Sequence, residues 1–331
     1  MTKKIILPLL AILFAFVSCK KEDNTDSLMH ALPPISIRSF PDIDALNVEV
    51  AKTLAFTYDD LVTYENSINF NSYGKLAEQA MMPILAKVET YIEEGDIPQT
   101  RATELQNILN ANSQFLQLIN DDGEDYCETR YYRSSFRYIM NSQCVFKVDT
   151  FYYKVFEAGH VYCGASNYSS LLNMSESEFL TLQDNDVFTV YKYFNQKKGN
   201  YGMSIEQTAK YGLNVVKALI EWNQLSKNTV GNNDVYYGTW DITVSGYIKF
   251  IWNWPNKAPI GITITTSKFN EYNFVNNGSS INTSGLIAKK LSKQIRIATV
   301  TVPKGVKPNL YIHTILGYCN SSIASLDFNL N

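Results

Sequence analysis

The chain has few of the residue types on which most enzymatic chemistry draws. Its 331 residues include three histidines, His30, His160 and His313, and none belongs to a His-Glu-x-x-His pattern. It also lacks a Walker loop, a dinucleotide-binding glycine fingerprint and a Gly-x-Ser-x-Gly nucleophile elbow. The best-marked metalloprotease, nucleotide-binding and α/β-hydrolase signatures are therefore excluded, and no cofactor is implied. Charge is scarce in another sense: the formal net charge is −3 and no run of like charges stands out. That pattern speaks against nucleic acid and acidic membrane surfaces as partners. After the first eighteen residues, no segment approaches the ~18 apolar residues of a transmembrane helix.

The start of the chain is informative. Lys3 and Lys4 precede an apolar run from Ile5 to Val17, then Ser18, Cys19 and a polar stretch beginning Lys20-Lys21-Glu22-Asp23. A charged start, a short apolar segment and a small residue at its end read as a secretory signal. Cysteine directly after Val17-Ser18 resembles the lipobox of bacterial lipoproteins. The resemblance implies cleavage after Ser18 and lipidation of Cys19, with residues 19–35 as a flexible tether. Loss of Lys3 and Lys4 with residues 1–18 takes the formal charge from −3 to −5. Each buried methylene of an acyl chain contributes ~0.8 kcal/mol, so several chains on one cysteine make a durable membrane anchor. Lys20-Lys21-Glu22-Asp23 is similar to the surface-export tether of Bacteroidetes lipoproteins, and Asp26-Ser27-Leu28 to that phylum's O-glycosylation motif, with Ser27 as acceptor. Outer-membrane anchoring, at the cell surface or on the periplasmic face, is the localisation these features predict.

The rest reads as an α+β domain over residues 36–230 and an all-β domain over 235–331. Pro41–Phe56 is predicted helical behind a Ser39 cap, with Ile43, Leu46, Val50 and Leu54 on one face. Thr57–Asp60 opens a second helix. Tyr73–Glu94 gives a third, in which Pro83 predicts a kink or break; Thr100–Ile119 gives a fourth. From Tyr126 to Cys163, β-branched and aromatic residues predict a small antiparallel sheet. Capping boxes at Ser175–Glu178 and Ser204–Gln207 predict two more helices, the latter running to about Leu225. The polar stretch Ser226–Asp234 is the expected domain boundary. Beyond it, Ile242 to Trp254 alternates as one strand with Gly246 as a bulge. Ile260–Phe269, Gln294–Val302, Asn309–Tyr318 and Ala324–Leu330 complete an expected sandwich of the immunoglobulin type.

Three sets of residues carry a family resemblance. They are Ile37-Arg38-Ser39-Phe40, Tyr64-Glu65 followed by Phe70-Asn71-Ser72, and Met140-Asn141-Ser142 leading into Val148-Asp149 and Tyr153-Lys154-Val155. They resemble motifs of uncharacterised surface or periplasmic lipoproteins that gut Bacteroides carry in many diverged copies. The resemblance implies a helical start, a small sheet opened by an Asn-containing turn, and a C-terminal β domain. It brings no activity with it. Trp is commoner in those proteins where Tyr64 stands, and Gly usually follows the Asn where this chain has Ser142.

Four cysteines follow Cys19: Cys127, Cys144, Cys163 and Cys319. In the expected meander, Cys144 and Cys163 flank Tyr153 on outer strands, too far apart to bond, which leaves a bond from Cys127 to one of them as the easier pairing. His160 stands three residues before Cys163, and on a strand that spacing sends the two side chains to opposite faces. Asp121-Asp122-Gly123-Glu124-Asp125 concentrates oxygen ligands but lacks the spacing of a calcium loop, so it reads as a solvated turn; Asp184-Asn185-Asp186 reads the same way. No metal ligand set is assigned and no residue is assigned to catalysis. Tyr131, Tyr132 and Tyr237 are the aromatic residues most available to stack on a sugar, whereas Trp252 and Trp254 share an apolar face and are expected to be buried. The sequence thus predicts a non-enzymatic lipoprotein acting in binding or adhesion, with glycan capture as one form that role can take. The alternatives are a carbohydrate-active hydrolase using an Asp/Glu pair and a structural partner of another envelope protein.

Overall fold

The computed structural model describes residues 36–331 except 95–98, 122, 193–203, 250–251, 256–257, 271–274, 277–280, 289, 306–310, 322–324 and 330–331. Cys19 and Ser27 lie outside the described residues. Strand β1 (Ser39–Phe40) leads into helices α1 (Ile43–Leu54), α2 (Tyr58–Ser67), α3 (Tyr73–Glu94) and α4 (Gln99–Ala111). Ser39 is not the cap of α1: it pairs with Lys147 in a sheet, and the Asp42 carboxylate accepts the Ala45 N–H at 2.8 Å instead. Thr57 and Asp60 close a reciprocal capping box on α2, satisfying donors that a helix start leaves open. Pro83 does not break α3, because its ring is on the exposed side and water can take the freed carbonyl. α4 ends eight residues before its expected end at Ile119, and Leu116 onward is strand.

The chain continues through β2 (Leu116–Asp121), β3 (Glu124–Thr129), a 3-10 helix (Ser135–Tyr138), β4 (Val145–Val148), β5 (Phe151–Phe156) and β6 (Gly159–Gly164). Next come α5 (Tyr168–Asn173), α6 (Glu176–Thr181), β7 (Phe188–Lys192), β8 (Ser204–Tyr211), β9 (Asn214–Val230), β10 (Asn233–Lys249) and β11 (Asn253–Pro255). The last are β12 (Ala258–Asn270), β13 (Val275–Asn276), β14 (Ile281–Ala288), β15 (Lys290–Pro303), β16 (Tyr311–Ser321) and β17 (Ser325–Asn329). They form a five-stranded sheet in the order β1-β4-β5-β6-β7, a four-stranded sheet β14-β12-β16-β17, and an eight-stranded sheet built on β15-β10-β9-β8.

The region expected as a helix from Ser204 to Leu225 is the β8–β9 hairpin. Ile205, Ala209, Leu213, Val216 and Ile220 fit a helical period. Val216, Ala218 and Trp222 also fit a period of two, and cross-strand pairing decides the outcome. Ser226–Asp234 is likewise no domain boundary. It contains the turn joining β9 to β10, which stay paired from Val230 and Asn233 down to Asn214 and Ile248, and residues 36–331 form one compact unit. Helices gather in the N-terminal half and most strands in the C-terminal half, as an α+β chain should. The eight-stranded sheet, however, curls into a half-barrel and takes in β2 and β3 through a parallel β11–β3 pair. A sandwich made of residues 235–331 alone does not have that topology. Its bulges fall at Tyr237/Gly238 and Trp240/Asp241, whereas Gly246 pairs regularly with Val216. A Cβ on Gly238 would lie 2.4 Å from the Asn223 carbonyl, which explains a glycine there. The chain also turns between Ile248 and Trp254, which face each other across β10 and β11 and do not alternate along one strand.

Among the described residues, three of the apolar clusters hold the helices to the sheets. The first packs α1 and the 3-10 helix on one face of the five-stranded sheet, where Leu46, Val50, Phe136, Phe146 and Val155 are fully buried. Burying each such side chain contributes about 1.5–3 kcal/mol. The second joins α3 and α4 to the half-barrel through Met81, Val88, Leu105, Ile248 and Trp254. The third covers the other face of the small sheet with α5 and α6 through Phe156, Leu171 and Phe179. Cys127, Cys144 and Cys163 sit in three different clusters, so no bond joins Cys127 to either of the others. Tyr153 is flanked by Phe146 and Tyr162; Cys163 is opposite Tyr152, and Cys144 precedes β4.

Candidate functional site

A cavity of about 470 Å3 opens where the helical start meets the small sheet. Seven segments reach it, and local sequence fixes each. Tyr73 begins α3, its N–H bonded to the Met140 carbonyl at 2.9 Å. Phe115 follows α4, and Arg130 and Tyr131 follow β3. Cys144 precedes β4 in a turn organised by Asn141, whose Oδ1 accepts the N–H groups of Gln143 and Val145, both at 3.0 Å. The left-handed residue of this turn is Cys144, at φ 63°, and not residue 142, where the related motif favours Gly. Lys154 comes from β5, Glu157 from the turn before β6, and Glu176 from the first position of α6.

The lining combines rings with charges. Tyr73 meets Tyr131 edge-on at 4.8 Å and Phe115 at 5.4 Å. The Tyr131 hydroxyl donates to the Cys144 sulfur, and both residues hold φ near +60°, a conformation that costs side-chain-bearing residues about 1–2 kcal/mol. Burial pushes the Cys144 thiol up to about 11, so it is a neutral thiol and a poor nucleophile at pH 7. Burial also raises Tyr73 and Tyr131 and lowers Lys154. Lys154 donates to the carbonyls of Leu172 and Met174 at 2.6 and 2.7 Å, which ties α5 to the cavity wall. Arg130 forms an ion pair with Glu157. Glu176 is pushed up by burial, against the backbone N–H groups of Glu157 and Ala158 that it accepts. The cavity therefore offers ring faces, one compensated ion pair and a partly desolvated carboxyl.

A second polar region lies on the concave face of the half-barrel. Lys217, Glu221 and Asn223 on β9, Thr239, Asp241, Thr243 and Ser245 on β10, and Ser292 on β15 are all buried. The segment after β3 covers them. Arg133 Nη2 reaches Glu206 at 2.9 Å, and Arg137 Nη2 reaches Ser292 Oγ at 2.6 Å. Glu128 takes the Tyr247 hydroxyl at 2.5 Å. One connecting segment thus lines the cavity with Arg130 and Tyr131 and fills the half-barrel with Arg133 to Arg137.

The three tyrosines singled out from sequence do not converge. Tyr131 lines the cavity. Tyr132 turns to the half-barrel, where Arg133 Nε donates to its hydroxyl at 2.9 Å and Lys290 Nζ lies 5.4 Å from its ring centre. Tyr237 packs beside the first cluster and donates to Asp44 at 3.3 Å. His160 is fully buried against Phe136 and Tyr191, while Cys163 is in the cluster on the other side of the sheet. Trp254 is fully buried and Trp252 packs partly buried beside it. In the acidic turn, Glu124 is held down to about 2 by Lys210 and then Lys249, and Asp125 accepts from Asn120 at 2.9 Å, so these carboxylates already have cationic or amide partners. Asp184 accepts the Val190 N–H at 2.6 Å and an ion pair from Lys227. Among the described residues, no group of three or more His, Cys, Asp or Glu side chains is placed to hold a metal ion, and no helix is long and apolar enough to cross a membrane.

Sequence reasoning missed Arg130, Cys144, Lys154, Glu157 and Glu176 as cavity residues. Only Glu176 carried a local signal, the capping box around it. The others come together through tertiary structure.

No family model matches the chain, and no curated protein matches it. Among solved structures, it is similar to a DUF4848 family protein from Bacteroides thetaiotaomicron, at 10% identity and a TM-score of 0.29, over 88% of this chain and 96% of that one.

Proposed function

We propose that this protein is a lipid-anchored binding protein of a bacterial outer membrane, held through Cys19, that captures a glycan residue in the cavity between α3, β5 and α6. The observation that carries the reading is the lining itself: the rings of Tyr73, Phe115 and Tyr131 beside the Arg130–Glu157 pair and the Glu176 carboxyl. Sugars need an apolar face for their C–H groups and convergent polar groups for their hydroxyls, and this cavity has both. The Lys3–Cys19 segment supports export and anchoring, and the Lys20–Asp23 tether supports surface exposure. The protonated state of Cys144 supports binding over thiol chemistry. A glycan array probed with the purified protein, followed by a tyrosine and tryptophan fluorescence titration of each hit, tests this. Saturable binding lost in Tyr131→Ala sustains it; silence across host and dietary glycans sinks it.

One observation favours a hydrolase as a second reading. Glu157 and Glu176 line the same cavity and interact electrostatically, and burial raises Glu176, as an acid partner requires. Release of reducing sugar by the wild type but not by Glu176→Gln would select it.

A further inference from the structure

The concave face of the half-barrel carries a feature the cavity reading does not use. Glu221 on β9 stands directly opposite Asp241 on β10, and Asp241 is opposite Gln294 on β15. Directly opposed residues point to the same side of a sheet, so Glu221, Asp241 and Gln294 form one row across three strands. Asn223 follows two positions along β9 on the same face, and the covering segment brings Ser135 and Arg137 onto this row. Three side-chain atoms here are buried with no partner in the protein: Glu221 Oε1, Asn223 Oδ1 and Arg137 Nε. Glu221, Asn223, Asp241 and Arg137 are each at most 7% exposed. Asp241 is satisfied by Thr239 at 3.2 Å together with Ser135 and Gln294, whereas Asn223 donates to Ser135 and keeps its Oδ1 open.

The mixture of open atoms identifies the guest. Two are oxygens that can accept, and the Arg137 nitrogen can only donate. A cation would satisfy the oxygens alone, and it would sit beside Arg133, Arg137 and Lys290, whose charges all act on Glu221. An anion would satisfy only the Arg137 nitrogen and meet two carboxyl groups. Hydroxyl groups both donate and accept, and buried polar groups without a protein partner are ordinarily bridged by ordered water. We propose that the half-barrel encloses a hydroxyl-binding chamber, occupied by ordered water, where Glu221 and Asn223 meet Arg137. The Arg133–Glu206 and Arg137–Ser292 contacts close it. The chamber is separate from the glycan cavity and stands whether or not that reading does.

Two measurements test it. In a crystal structure of the purified protein at a resolution that shows ordered water, discrete peaks are expected within hydrogen-bond reach of Glu221 Oε1 and Asn223 Oδ1. Continuous van der Waals packing with no peak overturns the proposal. Infrared spectroscopy on the same protein tests it in solution, with the protonated carboxyl band of the pair assigned by its loss in Glu221→Gln. Transfer to D2O should shift the band as fast as buffers can be exchanged, because chamber water carries deuterium to the carboxyls. A band that stays unshifted for hours marks a dry site and overturns the proposal.

Discussion

Glu221 and Asp241 lie opposite each other on paired strands, both almost completely buried, where two like charges destabilise the fold. Burial first, and then the Asp241 carboxyl, pushes Glu221 up to about 8; burial pushes Asp241 up to about 7 against hydrogen bonds from Ser135 and Thr239. Both folded values exceed the ordinary carboxyl values of 4.5 and 3.8. The pair therefore contributes its full stability below about pH 4, and that contribution is lost as pH rises through about 7 to 8. The loss is on the order of 4 kcal/mol for Glu221. Thermal unfolding followed from pH 5 to pH 9 should show the wild-type Tm falling, and Glu221→Gln, which cannot ionise, should flatten the fall. Parallel curves for the two proteins would show that the pair does not titrate in this range.

His160 produces the opposite slope on the acid side. Burial lowers its folded value to about 3, and neither ring nitrogen has a protein partner. A depressed value means stability that is present above the unfolded value of about 6.5 and lost as pH falls towards 3. The acid loss should reach roughly 3–5 kcal/mol. Phe136 and Tyr191 surround the ring at 5.3 and 5.1 Å, so an aromatic replacement fits the chemistry of the site. His160→Phe should hold its Tm in acid where the wild type loses it, and equal acid sensitivity in both would place the cause elsewhere.

The motifs that carry the family resemblance build the fold. Glu65 is nearly inaccessible, 3.2 Å from the Lys75 ammonium, and its Oε2 accepts the Ser72 N–H at 2.9 Å. Asn141 organises the turn before β4, and the Tyr64 hydroxyl meets Glu49 at 2.5 Å. Breaking a buried pair from one side strands the other charge. Glu65→Ala should cost about 3–5 kcal/mol in chemical denaturation, while Glu65→Leu with Lys75→Met should recover most of it. A loss below about 1 kcal/mol for Glu65→Ala would mean that Lys75 finds water.

This distribution explains what could be read from the sequence. Helices α1 to α3, the α6 capping box and the four C-terminal strands follow from local periodicity and capping, and the residues that set them are neighbours in the chain. β8 and β9 were not legible, because their apolar residues fit two periods and the choice lies in pairing with β10. The half-barrel interior misleads further. Lys217, Glu221, Asn223, Asp241 and Thr243 alternate as a solvent-facing strand would, yet the segment carrying Arg133 and Arg137 buries them. The cavity was legible only at Tyr131, since Cys144, Lys154 and Glu176 reach it from distant segments.

Binding in the cavity should separate cleanly from stability at Arg130. Its partner Glu157 and its own side chain are about a third exposed, at 31% and 36%. A pair so open to water contributes at most about 1 kcal/mol to folding. A sugar hydroxyl bound between the two charges loses both partners if Arg130 is removed and Glu157 swings out. Arg130→Met should therefore weaken glycan affinity about tenfold, or ~1.4 kcal/mol, with the Tm nearly unchanged. Tyr131→Phe keeps the ring and should bind like the wild type, whereas Tyr131→Ala should lose at least as much affinity as Arg130→Met. Fluorescence titration of the three variants gives the order, and wild-type affinity in both Arg130→Met and Tyr131→Ala would move the ligand out of this cavity.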